Sequence, residues 1–208
     1  MNQSQGIIRR EAPADRREAE QLTREAFWNV YRPGCTEHYV LHVLRDDPAF
    51  VPELDLVMEK DGRLMGHIMY MRARILGDDG RELPVMTFGP ISIHPDFQGR
   101  GYGKRLLDFS MERARELGAG ALCIEGNPGF YGKSGFAAAA ARGIRCHGEP
   151  EGQENPYFLV KELKEGFLAG VTGVYYTPAG YFVDEAAAEE FDRSFPPKVK
   201  EKLPGQLF

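Results

Sequence analysis

The chain has 208 residues, with 26 Lys and Arg against 31 Asp and Glu, a net charge of −5. That length fits one generous domain, or one domain with an appendage; 42% hydrophobic and 27% charged residues are ordinary globular usage and exclude wholesale disorder. The acidic balance argues against a nucleic-acid binder. Cys35, Cys123 and Cys146 stand far apart and read as free thiols in a reducing compartment, not as a disulfide framework or zinc site. No apolar leader opens the chain, and no run approaches the roughly 20 apolar residues of a membrane helix, so a cytoplasmic protein without a membrane partner is expected.

Strand and helix patterns alternate along the chain. Ile7 to Glu11 is a short strand candidate, and Pro13 and Asp15 open a helical stretch to about Val30 with Ala19, Leu22, Ala26 and Phe27 inward. After the Arg32-Pro33-Gly34 break, Thr36 is placed to cap a second helix through Arg45. Leu54–Glu59 and Leu64–Ile75 flank Asp61-Gly62 and predict a hairpin. Leu83 to Ile93 is a strand interrupted by Gly89-Pro90, where a lost ladder donor predicts a bulge. Gly101 to Leu117 carries Leu106, Leu107, Ser110, Met111, Ala114 and Leu117 at helical spacing, and Gly118 stops it. Ala121 to Glu125 reads as a buried strand and Pro128 to Ser134 as a short helix; Ile144 to His147 and Tyr157 to Glu162 are further strands. Val171 to Val183 reads as two strand-like arms around Pro178-Ala179-Gly180, and Asp184 is placed to cap a last helix to about Arg193. An isolated hairpin is marginal. The arms are therefore expected to cover a surface, the domain's own sheet edge or the same region of a second subunit, and the extension to close the acceptor cleft or build a homodimer contact, with Tyr175, Tyr176, Tyr181 and Phe182 as its aromatic residues.

The segment Gln98-Gly99-Arg100-Gly101-Tyr102-Gly103-Lys104 follows a predicted strand and opens the best helix. A helix N-terminus presents unpaired N–H groups and the positive end of a dipole, and glycines let backbone approach a phosphate closely. The spacing is neither that of a P-loop nor G-x-G-x-x-G. A plain strand-to-helix joint would also use such glycines.

Gly89-Pro90-Ile91-Ser92-Ile93-His94-Pro95-Asp96-Phe97-Gln98-Gly99-Arg100-Gly101-Tyr102-Gly103 resembles the acetyl-CoA fingerprint of the GNAT N-acetyltransferases. Gly126-Asn127-Pro128-Gly129-Phe130-Tyr131-Gly132-Lys133-Ser134-Gly135-Phe136 is similar to that family's second block, in the form of a bacterial branch. The resemblance covers about residues 6–163. It implies an α/β fold, the GNAT acyl-CoA N-acyltransferase fold, with a mixed central sheet flanked by helices. The expected organisation is a GNAT domain over residues 1–165 and a C-terminal extension over 166–208, packed on the domain or on a partner subunit.

The implied reaction moves an acetyl group from acetyl-CoA, a co-substrate, to a primary amine of a small molecule or peptide, with no metal. A hydroxyl acceptor, another acyl-CoA, or a non-catalytic acyl-CoA-binding module are the alternatives. By the same resemblance Gln98, Gly99, Arg100, Gly101, Tyr102, Gly103 and Lys104 would cradle the pyrophosphate. The backbone of Ile91, Ser92 and Ile93 would pair with the pantetheine arm, and an exposed N–H near the expected bulge would meet the oxyanion.

Tyr131 is the candidate acid for the leaving thiolate, or an aromatic packed under the cofactor. Asn127 would orient the cofactor or cap the short helix. Thr87 stands where histone-type members carry a glutamate base and cannot serve as one; Glu125, at the end of the next strand, is a candidate base, with a water chain or simple deprotonation of the amine as the alternatives. His94 is read as structural, and His38 and His42, four apart, lack a third metal ligand. Phe27, Trp28 and Tyr31 fall where the family's first helices line the acceptor cleft, with packing expected for at least one. Asp46, Asp47, Glu53, Asp55, Asp78, Asp79, Glu149, Glu151 and Glu154 either draw in a cationic amine or are solvated loop residues.

Overall fold

The computed structural model describes residues 6–150 and 155–207; Glu151 and Glu154 lie outside the described residues. Strands β1 (Ile7–Arg10), β2 (Leu56–Lys60), β3 (Arg63–Gly77), β4 (Glu82–Ile93), β5 (Ala121–Glu125), β6 (Ala137–Ala138), β7 (Ile144–Cys146), β8 (Phe158–Glu162) and β9 (Gly173–Tyr176) alternate with helices. The helices are α1 (Arg16–Phe27), α2 (Glu37–Leu44), α3 (Tyr102–Glu116), α4 (Pro128–Tyr131) and α5 (Glu185–Asp192). The strands form one mixed sheet in the order β1-β2-β3-β4-β5-β8-β6, with β9 on β3 and β7 on β9. The β4–β5 and β7–β9 pairs are parallel.

The chain divides into two compact units of interleaved segments. The first comprises residues up to Met69, Gly89–Leu106 and residues from Gly180 onward. Here β1 pairs antiparallel with β2, and β2 with the start of β3 across the Asp61-Gly62 turn, as the hairpin signal predicts. Asp61 and Gly62 both take positive φ, 52° and 75°, which Asp tolerates and Gly prefers. Helix α1 buries Ala19, Leu22 and Thr23, the i, i+3, i+4 stripe of an amphipathic helix. Thr36 precedes α2 but makes no side-chain cap; the Glu37 carboxylate takes the Thr36 N–H instead, at 3.0 Å.

Charged groups buried in this unit are paired, as burial demands. Arg45 reaches Glu11 at 2.7 Å and Glu20 at 2.8 Å, and His67 contacts Asp55 at 2.7 Å. The Arg24 side chain is wholly buried and meets Asp192, at the end of α5, at 2.6 Å. The C-terminal segment continues along α1: Trp28 donates to the Val199 carbonyl at 2.9 Å, and Lys198 pairs with Glu25 at 2.6 Å. Asp184 caps α5 through the Ala187 N–H at 2.8 Å, as expected.

The second unit holds Tyr70–Phe88 and Leu107–Ala179. Its core gathers Ile75, Val85, Cys123, Phe158, Val160, Leu168 and Tyr175. Strand β5 is paired along its length with β8, Cys123 facing Val160. Its parallel register with β4 is a single position, Met86 with Leu122.

The hairpin expected over Val171–Val183 does not form. Only its first arm is a strand, β9, and it pairs with β3, Ile75 facing Tyr175, instead of folding back on its second arm. The second arm turns into a 3-10 segment, Ala179–Tyr181. Tyr175 is accordingly core, not surface; a strand that finds a sheet edge satisfies its backbone better than an isolated ribbon can.

Candidate functional site

The residues singled out in the sequence fall in both units: 91–104 in the first, and Glu125, Asn127 and Tyr131 in the second. In the first, β4 ends at Ile93 and the chain crosses a 3-10 turn, Pro95–Phe97, before α3. The Asp96 N–H donates to the His94 ring across this turn, and Arg63 lies 2.9 Å from His94 Nε2. Burial and then the Arg63 charge hold the His94 pKa below the ordinary histidine value. His94 shapes the turn, as the structural reading has it. Gln98 Nε2 donates to the Ile93 carbonyl at 2.9 Å, tying the turn back to its strand. Ser92 Oγ donates to Thr23 Oγ1 at 2.9 Å and is buried.

Gly99 and Gly101 take φ of 72° and 82°, the left-handed region. A Cβ built on either would meet nothing within 4 Å. These glycines are required by backbone conformation, and the space before them is open. Gln98, Gly99, Arg100, Gly101 and Lys104 are exposed, with Tyr102 and Gly103 half-buried. Helix α3 starts at Tyr102, so its first unpaired N–H groups follow the glycines directly. An exposed cradle of positive φ at the head of a 15-residue helix suits a diphosphate.

In the second unit, Asn127 Oδ1 accepts the Gly129 N–H at 2.8 Å and caps α4, with Pro128 in the first turn. Tyr131 ends that helix and is half-buried among Phe88, Phe130 and Phe136, with ring centroids 5.9, 4.9 and 5.7 Å away. A Cβ on Gly126 would overlap the Tyr131 ring. Gly126 is therefore the floor of the tyrosine's seat, a role its place in the motif carries but spacing alone does not reveal.

Glu125 is exposed at the end of β5 and accepts Asn155 Nδ2 at 2.8 Å. Thr87 is buried and hydrogen-bonded with the Tyr175 hydroxyl, whose ionisation burial opposes. His38 and His42 do not converge: His38 is buried beside Asp192, and His42 meets Glu20 at 2.9 Å. Two groups of metal-type donors occur among the described residues, Glu11–Asp55–His67 and Glu125–Cys146–Glu149. In the first, Arg45 already takes both Glu11 oxygens. In the second, burial pushes the Cys146 thiol up to about 11, and Glu125 already accepts from Asn155.

The family model of the GNAT acetyltransferases matches residues 17–136. The chain belongs to the GNAT acetyltransferase family. The uncharacterized N-acetyltransferase YhbS of Escherichia coli K12 is 27% identical over 168 residues, covering 81% of this chain and 93% of that one. The crystal structure of E. coli YhbS in complex with CoA superposes with a TM-score of 0.73 at 25% identity, over 85% of this chain and 92% of the other. A Brucella melitensis GNAT acetyltransferase solved with acetyl-CoA gives 0.68 at 27% identity, over 85% and 98%. Among the described residues, no helix is long and apolar enough to cross a membrane.

Proposed function

We propose that this protein transfers the acetyl group of acetyl-CoA to a primary amine. One observation carries the reading: the Gly99–Gly101 turn, with positive φ and open space at the head of α3. The CoA and acetyl-CoA held by the two structural relatives support the choice of diphosphate. Gln98 to Lys104 hold the pyrophosphate, and the backbone of Ile91, Ser92 and Ile93 pairs with the pantetheine arm.

The amine nitrogen attacks the thioester carbonyl carbon and the C–S bond breaks. The nitrogen loses one proton and the departing sulfur gains one. A backbone N–H at the start of this strand segment steadies the oxyanion. Tyr131 gives the proton to sulfur; a phenol of pKa near 10 can do so to a thiolate near 8.5 when it is well placed. Asn127 acts by capping the helix that presents Tyr131. Glu125 takes the amine proton, directly or through water.

Buried Thr87 in the place of a base favours one second reading, a module that binds an acyl-CoA without turning it over. Release of CoA thiol from acetyl-CoA with a pool of amines, namely amino acids, polyamines, aminoglycosides and peptides, separates the two. Binding is tested through stability. Acetyl-CoA at 100 times its Kd raises folding stability by about 2.7 kcal/mol, and Gly101→Val should abolish that shift; because valine is strained at this positive φ, the melting transition of the free variant checks that the fold is kept. A variant that retains the shift would place the cradle elsewhere.

A further inference from the structure

The C-terminal segment touches the fingerprint strand at a position that spacing alone does not reveal. The Tyr181 hydroxyl donates to the Gly89 carbonyl at 3.0 Å. Gly89 has φ of 139° and open space where a Cβ would stand, and it lies two residues before Ile91. On the reading above, the pyrophosphate sits at residues 98–104 and the pantetheine runs along Ile93, Ser92 and Ile91. The reactive end therefore lies on the far side of Ile91 from the glycine turn, at Gly89 and Pro90.

The turn that carries Tyr181 is itself seated. A Cβ on Gly180 would stand 2.6 Å from Asp47 Oδ2 and 2.8 Å from Leu44 Cδ2, so the bare backbone here packs against the side chains at the end of α2. Asp47 is held in turn by the Ala49 N–H at 2.7 Å. The same turn leads through the Asp184 cap into α5, anchored by the buried Arg24–Asp192 pair.

We infer that Tyr181 is a positioning residue for acetyl transfer. Its hydroxyl holds the Gly89 peptide, and so the strand segment that presents the thioester. This inference rests on the acetyl-CoA reading of the cradle.

Its test compares full-length wild type with Tyr181→Phe, which keeps the ring and removes the hydrogen bond to Gly89. Amide exchange of residues 86–93, with and without acetyl-CoA, should quicken about two- to tenfold, the weight of one net hydrogen bond. The acetyl-CoA Kd should stay within about twofold. With whichever amine of the pool releases CoA fastest, kcat should fall about tenfold. Unchanged exchange would overturn the inference, as would a drop in Tm accompanied by an equal loss of acetyl-CoA affinity, the mark of a merely structural contact. If wild type binds no acetyl-CoA, the functional reading fails on its own; the exchange comparison on the free protein still decides whether Tyr181 fixes this strand.

Discussion

Tyr131, proposed above as the proton donor, is held by its surroundings. Three aromatic rings and the bare backbone of Gly126 fix its plane, and the Asn127 cap fixes the helix it ends. A proton donor needs this placement, because its pKa gives it little driving force at neutral pH. Tyr131→Phe retains the packing and removes only the proton. Turnover should fall about 10²–10⁴-fold, with the acetyl-CoA dissociation constant unchanged by calorimetry. Unaltered turnover would reduce Tyr131 to a packing residue. The residues of the glycine turn were legible from order alone, because positive φ and a helix start are local. Gly126 and Tyr181 were not, since each acts through a partner that the fold supplies.

The packing of α2 against α5 makes a testable element. His38 is wholly buried between Arg24 and Asp192, with Phe191 and Phe195 rings 5.6 and 5.2 Å away. Burial first, and then the Arg24 charge, lower its pKa to about 4; Asp192 and Glu20 oppose the shift without reversing it. The unfolded chain, with an ordinary histidine near 6.5, therefore binds a proton between about pH 6.5 and 4 that the native state refuses. Stability is full above that window and falls as pH drops through it, by on the order of 3 kcal/mol. Urea midpoints across the window should decline less in His38→Gln than in wild type. Equal slopes in the two proteins would mean that His38 is not the group responsible.

At the scale of the whole chain, the stretch after Leu163 divides its labour. Leu168 and Tyr175 belong to the core of the second unit, β9 pairs with both β3 and β7, and the residues from Gly180 onward belong to the first unit. Removing everything after Leu163 takes away a paired strand and the core side chains Leu168, Tyr175, Ala188 and Phe195. The truncated chain should lose its cooperative thermal transition and its near-ultraviolet circular dichroism. A truncated protein melting like the parent, and shedding only a dimer or a lid, would show that the extension is dispensable to the fold.

Composition, the alternation of strand and helix, the Asp61-Gly62 hairpin and the Gln98–Lys104 turn were readable from residue order, because each rests on interactions within a few residues. The family resemblance came from the same local blocks. The partner of β9, the burial of Tyr175, the ion pair of Arg24 with a residue 168 positions away and the contact of Tyr181 with Gly89 were decided by tertiary structure. Hydrophobic pattern marks a residue as buried without naming its neighbour, and an aromatic arm between turns reads alike whether it folds on itself or completes a distant sheet edge. A buried arginine is invisible in sequence until its carboxylate partner is brought to it, since without that partner its burial would be too costly to persist.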